Sequence, residues 1–240
     1  MTLSFEPSEA GIDVVDPVER RTTTLVVPDG VSPTPADVDA FTFPVDEAVA
    51  VRTDSVTLQT AASVYVRDDE GEMVASAECG SRHELQSATY SVELCTSVKL
   101  YLRVESAVTV SATFDGVELS FGDDAEVLVG GRSHQRRPPA TVTTTGDPGD
   151  VMAAISTFGS ALKTTSPERS FPTLRGHPPA VELGDELRIP DELSPPDTGV
   201  RVEIPPDLDH VYPAAPLAYY LGAEVVPGNA PKLVADGYEH

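Results

Sequence analysis

The 240-residue chain carries 39 aspartates and glutamates against 16 lysines and arginines, a formal net charge of −23. Like charges repel, so this balance argues against a general nucleic-acid partner and an anionic membrane surface. With 40% hydrophobic residues the chain can offset its ordering entropy, which excludes disorder over most of its length.

A folded protein tolerates such charge in concentrated salt, where a Debye length of roughly 3 Å at molar ionic strength screens the repulsion. Lysine usage fits a salt-adapted surface: only Lys99, Lys163 and Lys232 stand beside thirteen arginines. The N-terminal residues 1–7 lack the basic and apolar regions of a secretory signal. No apolar run approaches the ~18 residues that span a bilayer, so a cytoplasmic location is expected. Cys79 and Cys95 are too few for a disulfide scaffold and are expected as thiols, with Cys95 a small buried hydrophobe.

In chain order, residues 3–142 are rich in valine and threonine and punctuated by turn signals. Strands are predicted at 22–27, 49–53, 63–67, 98–105, 108–114, 117–121 and 125–129. Within 99–105, Leu100, Leu102 and Val104 alternate with Lys99, Arg103 and Glu105, which places one face in a core and one in water. Asp115-Gly116 predicts a tight type I′ hairpin between 108–114 and 117–121, and 69–72 a second hairpin with a longer loop. The run 130–139 is polar, basic and turn-rich, as domain edges tend to be.

Asp147-Pro148 reads as an N-cap with proline at the first helical position, opening a helix to about Lys163 with Met152, Ile155, Phe158 and Leu162 on its apolar face. Residues 166–213 are proline-dense, with extended pieces at 180–183 and 200–204. A short helix is predicted at 216–221, stopped by Gly222, then a strand at 223–226 and a turn at 227–229. The fold class expected is mainly β. An antiparallel β-sandwich or jelly-roll-like domain occupies 1–139, and a helix, an irregular segment and the start of an incomplete α/β domain occupy 140–240.

No motif with specific chemistry stands out. Ser160-Ala161-Leu162-Lys163 matches the S-x-x-K pattern, but at a helix end and without its S-D-N or K-T-G companions. Cys79, His83 and Cys95 lack the second close pair that a structural zinc site wants, and no spacing selects a Cys-His dyad. Asp123-Asp124 and Asp147 with Asp150 form no calcium loop. No cofactor is expected.

Charge placement is more informative. Between Arg132 and His177 lie six basic residues (132, 136, 137, 163, 169, 175) and three acids (147, 150, 168), a net of +3, so the rest of the chain sums to −26. Arg132, Arg136, Arg137, Arg169 and Arg175 are therefore candidates for interdomain docking or for holding an anion.

The segments 156–169, Pro172-Thr173-Leu174-Arg175-Gly176-His177-Pro178-Pro179 and Ala215-Pro216-Leu217-Ala218-Tyr219-Tyr220-Leu221-Gly222-Ala223 resemble the N-terminal part of a group of large, uncharacterised haloarchaeal proteins. Those proteins end in a region similar to the CHAT, or caspase-like, cysteine peptidases. The resemblance implies a truncated chain whose catalytic histidine and cysteine lie beyond residue 240, and it assigns no role to Cys79 or Cys95. The function expected is a non-catalytic interaction or regulatory module of a larger halophilic protein, partnered by its own downstream domain or by another protein. A fragment of such a peptidase and a stand-alone ligand-binding sandwich are the alternatives.

Overall fold

A computed structural model describes residues 3–28, 32–171, 174–235 and 238–239. Strands take up 47% of the described residues and helices 16%, so the protein is mainly β. It divides into two compact units, Thr2–His134 and a second over 135–240.

The first unit holds β1 (Ser4–Ser8), β2 (Gly11–Asp16), β3 (Arg21–Val26), β4 (Thr34–Pro35), β5 (Glu47–Leu58), β6 (Ser63–Arg67), β7 (Met73–Ala77), β8 (Ser81–Cys95), β9 (Lys99–Ala112) and β10 (Val117–Arg132). They form one antiparallel sheet in the order β1-β2-β3-β5-β10-β9-β8-β6-β7, with β4 on β5. The sheet curls into a barrel-like body around a single core of Val, Leu, Ile and Ala side chains.

The predicted strands 98–105 and 108–114 are one strand. In β9 every even-numbered residue from Leu100 to Ala112 is buried, so the alternation runs straight through Ser106. That inward serine is satisfied: its Oγ accepts the Gly122 N–H at 2.8 Å. Gly122 lies in an irregular stretch of β10, where the register against β9 shifts between Ser120 and Val127. Strands 117–121 and 125–129 are likewise halves of β10 joined by this bulge, with Asp124 at φ 52. The bulge re-aims the strand while leaving its inward face inward.

Both predicted hairpins are present. Asp68 accepts the Glu70 and Glu72 amides in the 69–72 loop. The other turn is longer than the two residues predicted, because Ala112 pairs with Val117 and leaves four residues between them. A Cβ on Gly116 would sit 2.1 Å from the Leu58 carbonyl oxygen, so only glycine passes there.

The second unit contains β11 (Thr141–Thr144), α1 (Pro148–Ser156), β12 (Ala180–Leu183), β13 (Val200–Ile204), α2 (Leu208–Leu221), β14 (Glu224–Pro227), β15 (Lys232–Ala235) and β16 (Tyr238–Glu239). β11 and β12 pair in parallel, and a second sheet runs β14-β13-β15-β16. β13, α2 and β14 make a parallel βαβ unit. Asp147 caps α1 as expected, accepting the Gly149 amide at 2.8 Å. The helix is shorter than predicted, becoming a 3₁₀ turn over Thr157–Ala161. Val151, Met152 and Ile155 of α1 pack with Val211 and Ala218 of α2 over Val202, Ile204 and Val225 of the sheet.

Candidate functional site

Helix α2 begins eight residues earlier than the sequence suggests. Its N-cap is Asp207, whose carboxylate accepts the His210 amide at 3.1 Å and also meets His210 Nδ1 at 2.7 Å. That contact with the imidazole holds the Asp207 carboxyl below its ordinary range. The helix then runs through Pro213 and Pro216. Each proline removes a donor, so the carbonyls of Asp209 and Tyr212 forgo their i→i+4 bonds, and both prolines lie on the exposed side. Gly222 ends the helix in the left-handed conformation, φ 63, and the Ala223 amide reaches back to the Ala218 carbonyl at 2.9 Å.

The buried side of α2 is ordinary: Val211 and Ala218 are fully enclosed. The other side departs from the usual amphipathic pattern, since Tyr212 (57% exposed), Leu217 (46%) and Tyr220 (37%) face outward with Pro213 and Pro216. No charged residue occurs from 211 to 223. Beside this face, between α2 and strands β13 and β15, lies a groove of about 410 Å³ whose apolar lining, Val202, Ile204, Pro213, Ala214, Leu217 and Leu233, is joined by Asp209, His210 and Lys232.

Two of the five candidate arginines come together at the C-terminal end of this helix. The guanidinium carbons of Arg169 and Arg175 stand 5.5 and 5.8 Å from the centre of the Tyr220 ring. Arg169 also donates to the Thr165 carbonyl. The residue before Tyr220 anchors the segment: Tyr219 Oη lies 2.8 and 2.6 Å from the carbonyl oxygens of Arg175 and Gly176. Burial pushes the Tyr219 phenol up, with the Arg175 charge opposing. Among the described residues neither guanidinium forms an ion pair with a carboxylate.

Arg132 is engaged within the first unit. It is buried, donating to Tyr101 Oη at 2.9 Å and to the Pro44 carbonyl at 3.0 Å. Burial also pushes the Tyr101 phenol up, against the pull of the Arg132 charge. Arg136 and Arg137 are exposed.

The remaining sequence candidates do not assemble. Ser160 closes in a 3₁₀ turn, its hydroxyl buried without a partner among the described residues, and the backbone is extended at Leu162 before Lys163, so the pair shares no helical turn. Cys79 and Cys95 flank the two ends of the 15-residue β8. The charged neighbours of Cys95 are Lys99 Nζ at 3.8 Å and Glu93 Oε1 at 3.7 Å rather than a histidine. Burial pushes its thiol up more than Lys99 lowers it, the opposite of an activated nucleophile. Asp147 and Asp150 are occupied by the helix cap and by the Thr145 hydroxyl. Asp124 pairs with Arg52 at 3.3 Å, and the Asp123 side chain lies outside the described residues. Among the described residues no group of three or more His, Cys, Asp or Glu could hold a metal ion, and no helix is long and apolar enough to cross a membrane.

The outward face of α2 is not legible in the sequence because the predicted helix opens only at Pro216, which leaves Tyr212 and Pro213 in the proline-dense stretch. The signal that could have found it is the uncharged run 211–223 in a chain where 23% of residues are charged. Comparison with protein-family models, with curated proteins and with solved structures gives no match.

Proposed function

We propose that this chain is a non-catalytic interaction module of a salt-adapted cytoplasmic protein, akin to the haloarchaeal group that its sequence resembles. The outward face of α2 is its contact surface. The observation that carries the reading is the apolar stripe Tyr212, Pro213, Pro216, Leu217 and Tyr220, left in water on a chain of net charge −23. Exposed apolar area of this kind marks contact surfaces on soluble proteins. Arg169 and Arg175 at one end select for a protein partner that sets carboxylates beside apolar side chains. Within the module we read the first unit as a β-sandwich whose doubled-back sheet is the scaffold.

The test is a photo-crosslinking residue placed at Tyr220, and at Phe114 as a control, in cells expressing the protein. The expected result is a discrete protein adduct from 220 alone, lost when Arg169 and Arg175 are both changed to Glu. Equal labelling from both positions, or an adduct indifferent to the two arginines, would overturn the reading.

A second reading, a ligand-binding β domain, draws on a cleft of about 500 Å³ in the first unit. Its walls carry Thr22, Thr24, Thr60, Thr96 and Ser97 and no charged side chain, which suits an uncharged polyol. Chemical-shift changes confined to these residues on adding simple sugars would favour it.

A further inference from the structure

On a helix with 100° between successive residues, Asp209, Tyr212, Pro213, Pro216, Leu217 and Tyr220 fall within an arc of about 140°. Asp209 and Tyr220 lie eleven residues apart at nearly the same azimuth, at opposite ends of a face roughly 16 Å long. The face is therefore polar at its ends and apolar in its middle. Its N-terminal end carries the exposed Asp209 carboxylate, with the Asp207 cap beside it. Its C-terminal end carries the guanidinium groups of Arg169 and Arg175 over the Tyr220 ring. Such a surface is complementary to itself turned end for end.

We infer that a second copy of this chain covers the face, the two α2 helices running antiparallel about a two-fold axis that passes between Pro213 and Pro216. The inference rests on the interaction-module reading and names its occupant. A two-fold axis there sets the acidic end of each helix against the basic end of the other, making two equivalent charge pairs from one patch. It also brings Leu217 of each copy over the groove beside Pro213 of the other. The arginines that lack a carboxylate within the described residues gain one from the second copy. The area is small against the roughly 800 Å² per partner of a stable complex, so the dimer is weak, with a dissociation constant of about 10 μM to 1 mM.

The experiment is sedimentation equilibrium of the purified full chain over a wide concentration range, at the lowest salt in which it stays folded. A monomer–dimer equilibrium is expected. Leu217→Glu should weaken it by at least about thirtyfold. Asp209→Arg and Arg175→Glu should each weaken it about tenfold, whereas the double variant D209R/R175E, with the pair reversed, returns to within about threefold of the parent. Arg169→Glu, with circular dichroism to confirm the helix, substitutes for R175E if that variant does not fold. A chain monomeric at millimolar concentration, a dimer indifferent to L217E, or a double variant weaker than both singles overturns the inference. A monomer that still gives the arginine-dependent adduct from position 220 sinks only the second copy; a monomer without that adduct sinks the module reading too.

Discussion

Gly222→Ala tests whether the α2–β14 junction is built as described. Glycine is required by the left-handed backbone, φ 63. An L-residue there loses about 1 kcal/mol relative to glycine. The new Cβ would lie 3.1 Å from Leu162 Cδ1 and Thr198 Cγ2 and 3.4 Å from Pro196 Cγ, tight contacts that side chains can relieve only in part. Crowding of this degree adds about 1 kcal/mol, for a total near 2 kcal/mol. Both α-helices belong to the unit containing Gly222, so the far-UV helical signal reports on that unit. In urea, with salt held at molar concentration, the helical midpoint should fall by about 1 M, given a slope of roughly 2 kcal/mol per M. Gly222→Asn, which tolerates the left-handed region, should lose less. A G222A midpoint within about 0.2 M of the parent would refute the junction geometry.

Lys99 supplies a pH prediction. Burial pulls its pKa down, but the Glu93 carboxylate that it contacts more than compensates, leaving it above the ordinary lysine value. A raised folded pKa gives stability that is complete below about pH 10.4 and is lost as pH rises through the higher folded value. Thermal melts should show this alkaline loss, and Glu93→Gln should reduce it to what the raised Tyr101 and Tyr219 phenols contribute. The two cysteines should react with a thiol reagent at pH 8 in two phases, exposed Cys79 fast and half-buried Cys95 slow; equal rates would contradict the Cys95 environment. Raising KCl from about 0.2 to 3 M should raise the melting temperature by several degrees as the −23 charge is screened. A flat or falling response would remove the argument for salt adaptation.

Much of the β-rich unit is legible from alternation, and the failures share a cause. β8 lies outside the predicted strands because Ser81, Arg82, His83 and Glu84 are all polar and show no alternation. Its inward phase also changes, from Leu85 on one side of a register shift to Tyr90, Val92 and Leu94 on the other. Periodicity cannot be followed through a bulge whose position is set by a neighbouring strand. Ser106 split β9 for a similar reason, since a serine is an acceptable inward residue only once Gly122 is known to donate to it. For the candidate surface, composition identified Arg169 and Arg175 as part of a basic segment. Their convergence on Tyr220, some fifty residues on, depends on the fold and is absent from local sequence.

The irregular stretches of the large sheet have a further consequence when counted as backbone length. Opposite the single β9 residue Ala107, β8 spends two residues, Gln86 and Ser87. Opposite residues 105–108 of β9, β10 spends residues 121–126, two more than its neighbour. Strands that bend together do not travel equal distances, so β9 follows the shorter path and its flanking strands carry the difference as added chain. The curvature of the sheet is thereby fixed by arithmetic between neighbours. Deleting Ser87 would force a choice between a straighter sheet and a β8 whose Tyr90, Val92 and Leu94 point away from the core.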